Sequence, residues 1–421
     1  MSSRRTVASW CFYDFANTIF SMNVVSLYFP LWLTADLGKS DLWVSLANSG
    51  SMALVALSMP LLGVQADHGR RRRAFLVVFT AVACAFTALI GMGGRVSPAA
   101  AVVAFIVANY AYQGGLVFYN ALLPTVAGPA EVGRISGYGV ALGYLGAIAG
   151  MIFVLPFATG SLFGWHVPFI TGAGRAATFL PTAVLFALFA LPCLLWVTEP
   201  SEPRPAPARG LSWVETFGKV RETLTNARLY PGLRAFLLAK FLYEEAIATV
   251  IIFMAVYAHR VWGFTDSELT PFFILSTVSA VAGSVVLGRL VDRVGPKRIL
   301  EGVLAGWLVC LVVLALARHG PVAWVVGSAI GICLGGTWTA ARPLLVRLVP
   351  EDELAEFFGL YAMSGKAAAI VGPLVWGGIV WAAAGLPGAL RYRLAVAVLA
   401  VMMGAGLGIL RWYVPPGRDN V

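Results

Sequence analysis

Residues 288–298 read Gly-Arg-Leu-Val-Asp-Arg-Val-Gly-Pro-Lys-Arg, and residues 63–73 read Gly-Val-Gln-Ala-Asp-His-Gly-Arg-Arg-Arg-Arg. Both stretches lie between long apolar segments, 225 residues apart, and share the order glycine, aspartate, glycine and basic cluster. Two residues separate the aspartate from the second glycine in the later copy, whereas only one residue separates Asp67 from Gly69 in the earlier copy. The repeated loop indicates a chain built from two related halves.

A second match supports the repeat. It pairs Leu122-Leu123, Glu131 and Gly137-Tyr138 with Leu344-Leu345, Glu353 and Gly359-Leu360, 222 residues further on. Two matches at nearly one offset are difficult to obtain by chance. We therefore expect six helices in each half with the same orientation, as in transporters built from parallel repeats whose site lies near the membrane midplane.

Composition places both halves in a membrane. The 421 residues are 59% hydrophobic and only 12% charged, whereas soluble proteins average roughly 45–50% and 25%. A span needs about 20 apolar residues, so we predict an all-α protein of twelve spans. Their predicted bounds are 7–34, 41–66, 74–94, 98–127, 135–158, 176–198, 233–258, 268–291, 299–317, 321–349, 354–384 and 388–413.

The net charge of +10 follows the predicted topology. With the N-terminus inside, 21 Lys and Arg residues fall in inner segments and seven in outer ones. This bias predicts that both termini lie in the cytoplasm. The predicted location of this multi-pass protein is a bacterial inner membrane. Anionic lipid headgroups are then sufficient partners for the basic residues, and we expect no nucleic acid.

A composition change after the sixth span marks the boundary between halves. Residues 199–210 are charged and rich in proline, and residues 211–234 could form an amphipathic helix on the inner surface. We predict an N-terminal bundle at 1–198, a linker at 199–232 and a C-terminal bundle at 233–421.

The loop pattern resembles the signature of the major facilitator superfamily, which implies a pseudo-symmetric fold of six plus six helices and secondary transport. Its glycines would let helices approach closely, and its basic residues would anchor the loop at headgroups. By this resemblance the loop residues are Gly63, Asp67, Arg71, Gly288, Asp292 and Arg298. Arg342, near the inner end of the tenth span, is a further candidate for a gate bond or a headgroup contact, with substrate binding as the alternative.

The first span contains a string that is typical of one branch of this superfamily. Residues 10–17 read Trp-Cys-Phe-Tyr-Asp-Phe-Ala-Asn. This string resembles the branch that contains the fungal autophagy-related vacuolar amino-acid effluxer and its bacterial relatives. The seventh span, Phe236-Leu-Leu-Ala-Lys-Phe-Leu-Tyr-Glu-Glu245, resembles the same branch but has Glu-Glu-Ala where that branch usually has Asn-Asp-Gly. The resemblance implies amino acids as the first substrates to consider.

Ionisable side chains within spans are costly, so each is a candidate functional residue. Asp14 lies roughly 10 Å from the inner end of the first span. Asn17, Thr18 and Ser21 follow at helical spacing and form a polar face that we expect to line a cavity. The alternative for Asp14 is a role in packing, through hydrogen bonds from neighbouring helices.

Glu244 occupies in the seventh span the place of Asp14 in the first, because Tyr243-Glu244 aligns with Tyr13-Asp14. Carboxylates at equivalent positions are candidates for binding protons or a substrate ammonium group. Lys240 precedes Glu244 by four residues, so an intrahelical ion pair is the alternative. Glu245, about 100° around the helix, should face a different neighbour.

Lys366 is the residue we predict to bind substrate. It lies roughly 18 Å from the inner surface, near the midplane of the eleventh span, and Tyr144 is its counterpart in the fifth. A lysine there suits a carboxylate ligand; a permanent ion pair with Asp14 or Glu244 is the alternative. Asn17, Gln113 and Trp338 would complete the substrate site.

Other function classes lack their sequence signals. The four histidines are isolated from one another and from the five cysteines, and no phosphate-binding loop is present. We therefore expect neither an enzyme nor an ATP-driven pump, and no cofactor or metal. The predicted function is a monomeric secondary transporter for a small carboxylate-bearing solute, an amino acid or organic acid, with protons as the candidate coupling ion. Multidrug efflux and lipid transport are the alternatives.

Overall fold

The computed structural model describes residues 4–68, 71–126, 132–168, 170, 173–199, 230, 232–317, 320–349 and 354–415. Twelve helices of this part of the chain are long and apolar enough to cross a membrane. The prediction of an all-α protein with twelve spans is confirmed. The predicted linker at 199–232 falls almost wholly outside the described residues.

The helices of the first half end within a few residues of the predicted spans. They are α1 (Arg4–Asp36), α2 (Asp41–His68), α3 (Arg72–Val96), α4 (Pro98–Ala121), α5 (Val132–Thr159) and α6 (Phe179–Trp196). Helix α4 begins sharply because the Ser97 hydroxyl accepts a hydrogen bond from the Ala100 backbone N–H, with Pro98 at the first helical position. It ends earlier than predicted, and the separate short helix Leu123–Val126 follows it.

Helix α1 departs from regular α-helical geometry. It is α-helical over Arg4–Phe20, then π-helical over Ser21–Tyr28 and again over Trp32–Asp36. π-Helical segments are rare and frequently lie at functional sites. The first of them begins four residues after Asn17, at the end of the polar face predicted for this helix.

A short hairpin between α5 and α6 was not predicted from the sequence. Strands β1 (Ser161–Leu162) and β2 (Trp165–His166) pair antiparallel, with Leu162 opposite Trp165. The two turn residues both have positive φ, 49° at Phe163 and 93° at Gly164, as a tight hairpin turn requires.

The second half contains α7 (Leu233–Tyr257), α8 (Asp266–Val294), α9 (Pro296–Leu316), α10 (Gly320–Leu348), α11 (Leu354–Ala382) and α12 (Gly388–Tyr413). Helix α7 continues into a π-helical turn over Ala258–Trp262. Helix α8 begins with a reciprocal capping box between Thr265 and Glu268. Because α7 packs against both α11 and α12, its side chains are largely buried within this half.

The chain forms two compact units. One comprises Met1–Lys39 with Leu46–Trp213, and the other comprises Ser40–Ser45 with Val214–Val421. The first residues of α2 belong to the second unit, whereas the rest of that helix belongs to the first.

Asp41 ties the start of α2 to the second unit. Its buried carboxylate accepts hydrogen bonds from Trp376 Nε1 and from the Tyr392 hydroxyl, each at 2.9 Å. A Cβ added at Gly377 would lie 3.0 Å from the Leu42 Cα, so only a glycine leaves room for this approach. None of these contacts was predicted from the sequence.

Candidate functional site

The aromatic residues of the first-span string hold α1 against α4. Trp10 and Tyr13 both stack on Tyr119, with ring centroids 4.4 and 4.8 Å away. The Trp10 indole N–H donates to the Tyr119 carbonyl at 3.2 Å, and the Tyr13 and Thr80 hydroxyls are 2.8 Å apart. The aromatic residues of this string therefore have a structural role: they fix the rotation of α1 within its unit.

Asp14 is half-buried beside this aromatic cluster. A Cβ added at Gly139 of α5 would lie 2.9 Å from Asp14 Oδ2 and 3.3 Å from the Tyr119 hydroxyl oxygen. The bare glycine thus gives the carboxylate and the phenol room on one side of α1. Whether Asp14 binds protons or a cation stays a prediction.

Buried amides follow Asp14 along α1. Asn17 is 4% exposed and Asn23 is fully buried. Asn17 Oδ1 and both polar atoms of the Asn23 side chain have no hydrogen-bond partner within the described part of the chain. Unsatisfied buried amides cost free energy, so this helix keeps hydrogen-bonding capacity that the fold does not use. Asn23 was missed by the sequence analysis, because the polar face was followed only as far as Ser21.

The remaining candidates of the first unit are Gln113 on α4 and Tyr144 on α5. Both side chains are half-buried. Their predicted part in substrate binding stays a prediction.

In the second unit, Lys240 and Glu244 form a buried ion pair one turn apart on α7. The Lys240 ammonium also lies 3.9 Å from the centroid of the Tyr361 ring, a cation–π contact. A Cβ added at Gly365 of α11 would lie 2.6 Å from Glu244 Oε2 and 3.2 Å from Lys240 Nζ. The intrahelical pair that the sequence left open is therefore formed, and a coupling role for Glu244 stays a prediction.

Lys366 follows Gly365 directly and is half-buried. Within the described part of the chain, no ion pair or hydrogen bond involves its ammonium group. Lys366 does not form the ion pair with Glu244 that the sequence left open, because Glu244 is paired with Lys240.

Glu245 was not among the predicted site residues. It is 0% exposed, and neither carboxylate oxygen has a hydrogen-bond partner in the part of the chain that the structure describes. Its Oε2 would lie 3.0 Å from a Cβ added at Gly372. The sequence does show a carboxylate inside an apolar span. It does not show what surrounds that carboxylate, because the neighbouring residues belong to α11, more than a hundred residues further along the chain.

Among the inner-loop and gating candidates, Arg342 lies close enough to the Lys240–Glu244 pair to interact with it electrostatically. Trp338 and Arg342 on α10 are exposed, as are Arg71 and Arg298 near helix starts. A Cβ added at Gly288 of α8 would lie 3.1 Å from Thr339 Cγ2 of α10, so this glycine does sit where two helices approach. The surroundings of Gly63 and the side chains of Asp67 and Asp292 lie outside the described part. No cluster of three metal-ligating side chains occurs among the described residues.

A family model described as "Vacuole effluxer Atg22 like" matches residues 43–132 and 129–420, most of the chain. The protein belongs to this Atg22-like family. It is 27% identical over 378 residues to the "Uncharacterized MFS-type transporter YxiO" of Bacillus subtilis, a match that covers 87% of this chain and 86% of that protein.

Fungal relatives match over a shorter stretch. "Autophagy-related protein 22-1" of Penicillium rubens is 26% identical over 281 residues, which cover 58% of this chain and 44% of the fungal protein. The relatives place the Atg22-like chain among membrane transporters of the major facilitator superfamily, and not among enzymes.

Solved structures agree in fold. A mutant of the nucleoside transporter NupG superposes with a TM-score of 0.77 at 15% identity, over 96% of this chain and 99% of that one. A bacterial homologue of the human lysosomal transporter Spinster gives a TM-score of 0.74 at 14% identity, over the full length of both chains. The twelve-helix major facilitator fold predicted from the sequence is confirmed.

Proposed function

We propose that this Atg22-like protein transports a small, carboxylate-bearing polar solute by alternating access, with amino acids first and organic acids second. The observation that carries the proposal is Lys366: it lies half-buried in a span, and no ion pair in the described chain neutralises it. A cation in a span is costly unless an anion compensates it. A substrate carboxylate would supply that anion.

Lys240 differs from Lys366 in that its charge is neutralised by a partner. Lys240 is fully buried, paired with Glu244 and covered by the Tyr361 ring, so its charge is already balanced. The other proposed substrate contacts are Asn17, Gln113, Tyr144 and Trp338. Asp14 and Glu244 are the proposed proton or ammonium sites.

The proposed location is a bacterial inner membrane, with both termini and the linker in the cytoplasm. The distribution of Lys and Arg supports this orientation. The proposed partners are the solute, protons and membrane lipids, and the proposed state is a monomer.

A thermal-shift screen of the purified protein in detergent tests the substrate class. The ligands are amino acids, organic acids, amines and hydrophobic drugs, and the variants are Lys366→Ala and the control Lys297→Ala, whose lysine pairs with Glu301. A ligand at a hundred times its Kd stabilises the folded state by about 2.7 kcal/mol. We expect a carboxylate-bearing solute to stabilise the native protein and Lys297→Ala, and not Lys366→Ala. Stabilisation by amines or drugs alone, retained in Lys366→Ala, would refute the proposal.

One observation favours a second candidate, transport of hydrophobic compounds or lipids. An apolar cavity of about 600 Å³ lies among α1, α5 and α6, and its lining includes Phe15, Phe153, Leu180 and Leu188. Three of these side chains are more than half exposed on the outer surface of the unit. Stabilisation by lipids or drugs in the same screen would select this function.

A further inference from the structure

Glu245 is buried without a hydrogen bond or a counter-charge from any residue that the structure describes. It is fully buried in α7, and both of its carboxyl oxygens are sealed from solvent without a hydrogen bond among the described residues. Burying an ionised carboxylate in this way costs several kcal/mol. The group is therefore neutral, which means that it carries a proton.

The neighbouring ion pair does not provide a counter-charge. Lys240 is paired with Glu244, and Glu245 points about 100° away around the helix. The two carboxyl groups face different positions of α11: Glu244 lies against Gly365, and Glu245 against Gly372. These glycines are roughly 10 Å apart along the helix axis.

Other charged and titratable side chains lie on α7 and on the helices packed against it. In the described chain these are Arg234, Tyr243 and Tyr257 on α7, Cys333, Arg342 and Arg347 on α10, Tyr361 and Lys366 on α11, and Arg391, Tyr392, Arg393, Arg411 and Tyr413 on α12. No hydrogen bond or ion pair in the described structure joins any of them to Glu245. A metal ion would need several oxygen ligands, and no cluster of three acidic, histidine or cysteine side chains is present among the described residues.

The internal repeat shows that the fold itself does not need this carboxyl group. Phe15 corresponds to Glu245, as Asp14 corresponds to Glu244, and Gly150 corresponds to Gly372. In the first unit, Phe15 and Gly150 line the apolar cavity. The same helix crossing is thus built with a phenylalanine in one unit and with a buried acid in the other.

We propose that Glu245 is a further proton-binding site of the second unit, in addition to the Glu244 proposed above, and that it is occluded in this conformation. The O–H bond forms with a proton delivered by water at one membrane face and breaks to release it to water at the other. In this conformation the Lys240–Glu244 pair is intact, and the Lys240 ammonium contacts the Tyr361 ring of α11. The coupling of this proton to solute movement rests on the proposed transport function, whereas its presence on Glu245 does not.

Infrared spectroscopy of the full-length protein in lipid vesicles at neutral pH tests the proton directly. A protonated carboxyl group has a carbonyl stretch distinct from that of a carboxylate. We expect this band to lose one component in Glu245→Gln and to keep that component in the matched variant Glu244→Gln. Unchanged absorption in Glu245→Gln would overturn the proposal. If that variant does not fold, Glu245→Ala serves in the same comparison.

Proteoliposomes that contain a pH-sensitive dye test the coupling. The probe is an equimolar mixture of the standard amino acids, with exchange of the radiolabelled mixture as the second readout. We expect the native protein to change the internal pH as solute moves, and Glu245→Gln to exchange solute without changing it. Proton movement retained by Glu245→Gln would overturn the coupling role. Absence of exchange by the native protein would overturn the proposed function and that role, and leave the infrared result to decide where the proton is.

Discussion

Buried polar side chains in this protein differ in whether their charge is balanced. The Asp41 carboxylate has two strong donors, and Lys240 and Glu244 neutralise each other. Glu245 has no donor or counter-charge in the described structure, and Lys366 has no ion pair there. Balanced groups stabilise a conformation, and Glu244 would bind a proton only by giving up its pair with Lys240. Glu245 and Lys366 are available to a proton or a ligand without breaking an existing pair.

Removal of one partner of the buried pair should be costly. Lys240→Ala leaves the Glu244 charge buried and unpaired, so we expect the free energy of unfolding to fall by about 3–5 kcal/mol. The double variant Lys240→Met with Glu244→Gln should recover most of this loss. Denaturant unfolding in detergent measures both. The more exposed Lys297–Glu301 pair is the control, since Lys297→Ala should lower the free energy of unfolding by less than about 1 kcal/mol. If Lys240→Ala and Lys297→Ala lose the same stability, the buried pair does not stabilise the fold as expected.

The Tyr392 hydroxyl makes a hydrogen bond to a buried carboxylate. Tyr392→Phe removes that donor from Asp41 and keeps the ring, so we expect a loss of about 1.5–3 kcal/mol. Tyr413 lies on the same helix and is 69% exposed, which makes Tyr413→Phe a matched control with little expected effect. The same unfolding measurement compares them, and equal stabilities of the two variants would argue against a structural role for the Asp41 cluster.

At the scale of helices, both units use glycines in the same way. Gly143 and Gly150 of α5 lie against α1, and their repeat counterparts Gly365 and Gly372 of α11 lie against α7. Bare backbone lets two helices approach closely without a hydrophobic driving force. The polar side chains of α1 and α7 therefore meet backbone at these crossings, where larger residues would displace them.

The crossing of α1 and α5 can be tested within one helix. A Cβ at Gly146 would overlap the Phe15 backbone carbonyl, whereas a Cβ at Gly137 meets nothing within 4 Å. We expect Gly146→Ala to destabilise the protein or lower its yield. Gly137→Ala should be neutral, or stabilising by up to about 1 kcal/mol through helix propensity. Thermal stability in detergent decides between them, and similar behaviour of the two variants would show that the helices do not approach as described.

At the scale of the whole molecule, an even number of spans puts both termini on the same face of the membrane. The Lys and Arg distribution predicts that this is the cytoplasmic face. Anionic headgroups on that face would hold the basic loops. The predicted orientation therefore rests on charges spread over the whole chain, more than on any one loop.

Reporter fusions measure this orientation. A fluorescent protein fused after Val421 should fluoresce, since it folds in the cytoplasm, and alkaline phosphatase fused there should be inactive. Alkaline phosphatase fused after Trp165, in the hairpin between α5 and α6, should be active because that hairpin is predicted to lie outside. The reverse pattern would invert the topology and with it the proposed location of the linker.

By itself, the sequence determined the twelve spans, the repeat and the superfamily. Each depends on local composition or on a short motif: a bilayer demands a run of apolar residues wherever a helix crosses it, and the loop motif is contained in eleven residues. The ionisable candidates could also be found, because charges in apolar runs are conspicuous. The hairpin at Ser161–His166 was missed, since strands of two residues leave no periodic pattern.

Only the tertiary structure decided what surrounds each candidate. The Lys240–Glu244 pair, the isolation of Glu245 and the partners of Asp41 depend on helices that lie far away in the sequence. Residues 244 and 245 have the same side chain and adjacent positions, yet one is paired and the other is not. The reason is that a step of about 100° around a helix presents each to a different neighbour, and packing decides which neighbour that is.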